Sequence, residues 1–308
     1  DIRAKGPATF LILLPMMIPP HVTAIAWTQL LGPASPVLGP LGLAPPPGTS
    51  SPPYSRAGVI GLLALQHAPL VFLVMLAALR ALPREGVEAA RVAGAGAVRT
   101  LVRVILPMVG PALVAGAALA FVSALGNFGI PALLGVPARY TTLPVLIWQR
   151  LAAFGPGMLP GVAVLSAVMA TVALAAVVVQ MLLARWAGVR RSGPPQPPLR
   201  FALGRARAPV EAALALFLTA VLALPLAALT GTALVPTYGV PLSLATATLD
   251  NFAEVLVRQT VTLRAFANST ALAATAGVAL AGAAIAAGYF AAARGWRGRA
   301  GAAVATAA

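Results

Sequence analysis

The sequence contains no cysteine and only six Asp and Glu residues in 308. The first absence excludes disulfides, thiolate metal sites and cysteine nucleophiles. Charge of either sign is scarce: Asp, Glu, Lys and Arg make up 9%, where a soluble domain carries roughly a quarter. No carboxylate falls in the middle of a long apolar run. Glu211 stands at the edge of one, and Asp250 and Glu254 lie between two. Proton-coupled carriers place a titrating group inside the membrane, so any transport by this chain should draw its energy from elsewhere. No HExxH is present, which leaves a zinc-protease reading without support. The stretch GAGAVRT (94–100) lacks the lysine and Ser/Thr of a phosphate loop and follows no strand, so the chain should not bind ATP itself. No cofactor is expected. No secretory leader is visible, and the chain opens on Asp1 instead of Met, from which we expect an incomplete chain.

Apolar residues, by contrast, make up 60% and the mean hydropathy is +0.92. Such a chain has lipid as its main solvent. In lipid each backbone polar group must be satisfied inside the spanning structure, which leaves helices or a closed barrel. The apolar runs reach about 20 residues without alternation, which selects helices. The expected fold is an all-α polytopic bundle with six spans near 8–31, 57–82, 108–134, 158–186, 210–235 and 266–293. Pro15, Pro19 and Pro20 fall in the first span and Pro69 in the second; neighbouring helices can re-satisfy the groups they free. Alanine and glycine dominate the third, fourth and sixth spans and favour close helix packing.

The basic residues fix an orientation. Segments 1–7, 80–107, 184–209 and 294–299 hold 16 of the 21 Lys and Arg, and the alternate loops hold 5. By the positive-inside rule the first set is cytoplasmic. This accounts for the net charge of +15 without nucleic acid. The stretch RRSGPPQPPLRFALGRAR (190–207) is rich in Pro, Arg and Gly and reads as a linker. RAKGPATFLILLP near the start resembles RGRAGAAVATAA at the end, a weak repeat consistent with two fused halves. The expected organisation is 1–189 as four spans of a first half, 190–209 as linker and 210–308 as two spans of a second.

Residues 83–107 are the charged exception. Pro83 suits a first helical turn. Glu85 and Glu88 follow where the helix dipole is positive, and Arg91 lies three residues after Glu88. Gly94 and Gly96 interrupt, and a second short helix over 97–105 precedes a span opened by Pro107. Two short amphipathic helices joined by a glycine turn are expected. An amphipathic connector resting on headgroups is the other reading, but anionic lipid would repel the glutamates.

Glu88-Ala89-Ala90, three residues, Gly94, nine residues, Val104, Ile105 and Leu106-Pro107 resembles the EAA loop of permease subunits of binding-protein-dependent ABC importers, with Val in place of Ile at one position. The stretches 13–33, 126–148 and 251–270 are similar to the ferric-iron-type permeases, in which one chain fuses two six-span halves. The resemblance implies a bacterial inner-membrane subunit that performs no covalent chemistry. It implies a cytoplasmic ATPase dimer and a periplasmic solute-binding protein as partners, and ferric iron or another small solute as cargo. It further implies that Glu85, Glu88, Ala89, Ala90 and Arg91 carry the docking to the ATPase, that Gly94 permits the bend, and that Leu106 and Pro107 close the motif. The second half's own EAA loop is missing from this stretch. A secondary transporter or channel, and a non-transporting scaffold, are the competing classes.

His21, Thr23, Gln29, Gln66 and His67 are polar residues within or near spans. They either line a solute path or hydrogen-bond between helices. Asn127, in GNFGIPALLG, ends the third span as a gate or as a plain helix stop.

Overall fold

A computed structural model describes residues 2–153, 155, 157–186 and 203–293. The bulk of the 190–209 linker, Gly193 within it, and the C-terminal copy of the weak repeat lie outside the described residues. The elements are α1 (Lys5–Met17), α2 (Pro20–Leu30), α3 (Arg56–Arg80), α4 (Arg84–Val92), α5 (Ala97–Leu125), α6 (Leu143–Ala152), α7 (Met158–Trp186), α8 (Gly204–Ala233) and α9 (Thr260–Ala293). No strand occurs among the described residues. Five of these helices are long and apolar enough to cross a membrane, and six spans result if α1 and α2 count as one. The all-α, multi-pass expectation holds.

The chain forms two compact units, residues 1–232 with 238–242, and residues 233–237 with 243–308. In the first, α3 packs against α5 and α1, and α5 against α7. Ser55 starts α3 from an extended conformation, its hydroxyl oxygen accepting from the Gly58 N–H at 3.0 Å, the usual N-cap arrangement. Close approach of α3 and α5 depends on Gly116, where an added Cβ would stand 3.3 Å from Val71 Cα. One core gathers Ala24, Val59, Leu62, Ile130 and Leu134, with Trp27 and Tyr140 against it. In the second unit, Asn251 Nδ2 donates to the Ala233 and Val235 carbonyls at 3.1 and 2.7 Å, fixing the turn that leads towards α9.

Four expectations need correction. The first span is not one helix: α1 and α2 meet at 102°. Ile18 and Pro19 are extended (ψ 128° and 137°), because a residue before proline is pushed out of the helical region, and here two prolines follow in a row. The second arm of the charged loop is not a separate helix. It runs without a break into the third span as α5, through a π-turn at Leu101–Ile105 closed by Leu106 N–H to the Leu101 carbonyl. Pro107 supplies no N–H and its ring crowds the carbonyl four residues back; the wider π-turn just before it makes room. Leu224-Pro225 in α8 follows the same kind of turn at Thr219–Ala223. Pro83 is the N-cap of α4, one place earlier than expected. The third span ends at Leu125, not 134, and a short turn containing Pro131–Gly135 follows. Helix α6 was not anticipated.

Candidate functional site

Leu82 and Val87 stand at the positions flanking the start of a helix whose apolar contact fixes the entry angle of the chain. Val87 is fully buried, in one cluster with Leu82, Ile105 and Val109, and Met75 and Ala78 pack on it. Helix α4 is thereby pinned to the base of α5 by one side. A Cβ at Gly86 would meet Met108 Sδ and Val104 Cγ1 at 3.8 Å, ordinary contact. Away from that contact Glu85, Glu88 and Ala89 are exposed; Arg91, four residues after Val87 and so on its side of the helix, is also exposed, and Ala90 is half-buried.

The end of α4 explains the spacing between the alanines and the glycine. Ala95 N–H donates to the Ala90 carbonyl at 2.9 Å and Gly94 N–H to the Arg91 carbonyl at 3.0 Å. Gly94 has φ +79°. These are the two bonds and the left-handed residue of a Schellman cap. A side chain at Gly94 would find open space but a strained backbone. Beyond it, Thr100 is buried at 1% exposure, and its hydroxyl donates to the Gly96 carbonyl at 3.1 Å. The turn between the two arms is therefore fixed from both ends. Leu106 and Pro107 lie on α5 past the π-turn, exposed, and set the shape of that helix rather than joining the α4 surface. At the tip, Val92 is 90% and Val98 74% exposed.

The polar residues of the spans divide into separate roles. Gln66 is 4% exposed. Its Nε2 donates to the Pro15 carbonyl at 2.7 Å and the Ile18 carbonyl at 2.9 Å, and its Oε1 accepts from Thr23 Oγ1 at 3.1 Å. The Pro15 carbonyl is the one that the missing N–H of Pro19 would have met. Gln66 thus replaces backbone donors lost at the α1–α2 break. Gln29 Oε1 accepts from Thr232 Oγ1 at 3.2 Å, tying α2 to α8. His67 Nδ1 lies 2.7 Å from the Leu63 carbonyl of its own helix; a carbonyl only accepts, so that nitrogen carries the proton. Asn127 is buried, and its Oδ1 accepts from Ile130 N–H at 3.3 Å, capping the following turn. His21 is exposed beside Gly129, where a Cβ would stand 2.8 Å from His21 N. Of the six residues, only Thr23 and Gln66 bond to each other.

Three contributors escaped the sequence reading. Val87 was detectable as a hydrophobic staple with Leu82. Thr100 bonds to a carbonyl four residues back in its own arm, and Thr232 carries no local signal for its bond to Gln29, which helix packing sets.

Comparison with known proteins bears on the same region. The family model described as binding-protein-dependent transport system inner membrane component matches residues 3–188. A probable molybdenum ABC transporter permease protein of Haloferax volcanii is 33% identical over 150 residues, 48% of this chain and 51% of that one. A probable sulfate transport system permease protein of Chlorokybus atmophyticus is 38% identical over 100 residues, 32% and 35% of the two chains. The molybdenum transport system permease protein ModB of Azotobacter vinelandii is 27% identical over 154 residues, 49% and 66%. The matched stretches thus span between a third and two thirds of these relatives' own lengths. Because the family match extends over more than half of the sequence and takes in all of α1–α7 and the α3–α5 loop, this chain belongs to the family of inner-membrane components of binding-protein-dependent transport systems.

Proposed function

We propose that the chain forms part of the translocation path of an ABC importer and couples it to a cytoplasmic ATPase dimer through residues 83–107. The observation that carries this reading is the two-sidedness of α4. Val87 holds it to the base of α5, while Glu85, Glu88 and Ala89 face outwards beside the exposed valines 92 and 98. Exposed apolar side chains ringed by charge suit a protein partner. Continuity of α5 from 97 to 125 means that a push on the loop reaches the third span without a hinge of coil between them. ATP binding and hydrolysis on the partner would then switch the bundle between inward and outward access.

A periplasmic binding protein would deliver solute to the opposite side, in a bacterial inner membrane. The cargo is a small solute. Ferric iron rests on the resemblance of 13–33, 126–148 and 251–270. The names of relatives point instead towards molybdenum, sulfate and, for a Salmonella typhimurium protein 35% identical over 97 residues, 2-aminoethylphosphonate.

The test separates docking from shape, in the full-length protein at matched membrane levels. A charge-assisted contact is worth about 1.5–3 kcal/mol, so Glu88→Ala should weaken ATPase co-purification about tenfold or more. Gly94→Val strains the cap by about 1–2 kcal/mol and should retain some binding while uncoupling hydrolysis from uptake. Wild-type binding and uptake in both variants would return the loop to a headgroup-lying connector.

A further inference from the structure

Between α1 and α8, within the first unit, runs a crevice of about 510 Å³. Its walls are leucine: Leu11 and Leu14 on one side, Leu214, Leu218, Leu222 and Leu226 on the other. Its mouth is polar. There Arg3 and Glu211 meet, with the Arg3 backbone N–H 2.8 Å from Glu211 Oε1 and Arg207 Nε 3.1 Å from the same oxygen. The Glu211 carboxylate is answered by Arg207. The exposed side chains of Arg3, Lys5 and Arg205 are then surplus positive charge at that end.

We propose that this crevice holds one anionic phospholipid, with its phosphate at Arg3 and one acyl chain along the leucines. Three observations select that occupant. The lining excludes a polar one, since apolar walls gain nothing from water. The length fits: from Arg3 to Leu14 is about 16 Å along a helix, close to one leaflet of a hydrocarbon core about 30 Å thick. The charge adds the headgroup. This end of the chain is the one that the Lys and Arg distribution assigns to the cytoplasm, where the leaflet is anionic and basic side chains near the surface attract it. The inference stands apart from the importer reading, since it needs neither the ATPase nor a cargo.

Native mass spectrometry of the purified chain, released from membranes of equal dioleoylphosphatidylglycerol and dioleoylphosphatidylcholine, tests it. One phosphatidylglycerol should remain bound, preferred by about tenfold or more over phosphatidylcholine, as expected for several basic side chains at one headgroup. Ala215→Phe, which fills the crevice wall, should lower the bound phosphatidylglycerol by about tenfold. Arg3→Ala lies outside the packed helices and should leave one lipid bound while cutting the headgroup preference to about threefold or less. Equal retention of the two lipids by the wild type would overturn the proposal. So would an Ala215→Phe protein that keeps its lipid, or a second copy of the chain found seated against α1 and α8 in place of lipid. Should Ala215→Phe fail to fold, the wild-type preference and its loss in Arg3→Ala decide the matter.

Discussion

Proline breaks two regions of this molecule in different ways. At Pro19-Pro20 the chain turns through 102° and the helix stops. At Pro107, and again at Pro225, the helix carries on through a single π-turn. The chemistry of one proline is the same in each place: one N–H is missing and one carbonyl is crowded. Number and neighbour differ. Two prolines in succession free more carbonyls than one wide turn can absorb, and Gln66 stands across from them with both amide protons committed to the Pro15 and Ile18 carbonyls. A lone proline after Leu106 or Leu224 needs only local widening. In a membrane the backbone must be satisfied somewhere. A side chain from another helix permits a sharp bend, and without one the helix stays whole. The consequence is structural: the bend separates α1 from α2, while the unbroken α5 joins the exposed loop to a span.

The strongest test of this contrast is Gln66→Leu. It leaves two buried carbonyls without their donor, at about 1–3 kcal/mol each in general, with some relief because membrane-embedded partners find substitutes. Denaturation in mixed micelles should register a loss of about 2 kcal/mol or more. Replacing Pro19 and Pro20 by alanine restores two backbone donors. In that background Gln66→Leu should cost less than half as much, a coupling that a double-mutant cycle measures directly. Additive losses would mean that Gln66 does not serve the break.

Pro107→Ala addresses the other side. Without proline the π-turn should relax to an ordinary α-turn, rotating residues 97–100 relative to the span by about 100°. Stability should change by about 1 kcal/mol or less, since alanine is the better helix former. Cysteines replacing Gly86 and Val104, which lie in contact across α4 and α5, should cross-link several-fold less in this background. The smallest effect belongs to Thr100→Val. It removes a hydroxyl bonded to the Gly96 carbonyl, worth about 0.5–1.5 kcal/mol, and should be seen as faster amide exchange confined to 93–100.

Much of this was legible from the sequence. Long apolar runs place α3 and α7 to within two residues, and α8 and α9 to within six. The spacing from Ala90 to Gly94 carries the cap geometry, because a glycine with φ +79° is what a helix stop at that distance requires. The clamp on the first span was not legible. Pro15 and Gln66 are 51 residues apart, and composition says only that membrane helices tolerate proline, not which side chain will compensate. The π-turns were hidden for a related reason: Leu-Pro after an arginine-bearing arm looks like a helix start, whereas that arm and the third span form one helix, with Ile105 and Val109 on either side of the proline packed beside Val87. The six polar residues of the spans looked alike in sequence, and helix packing alone sorts them into a clamp, a tie, a cap and an exposed histidine.

The central claim is that the outward side of α4 meets an ATPase. The chain has no cysteine, so a single Val92→Cys, at the 90% exposed tip of the loop, can carry a short photoactivatable cross-linker without competition. In membranes containing the full transporter, the account predicts a product joining this chain to the ATPase subunit, much reduced when Glu88→Lys is added. Cross-links only to lipid, in equal yield with and without the ATPase present, would contradict it.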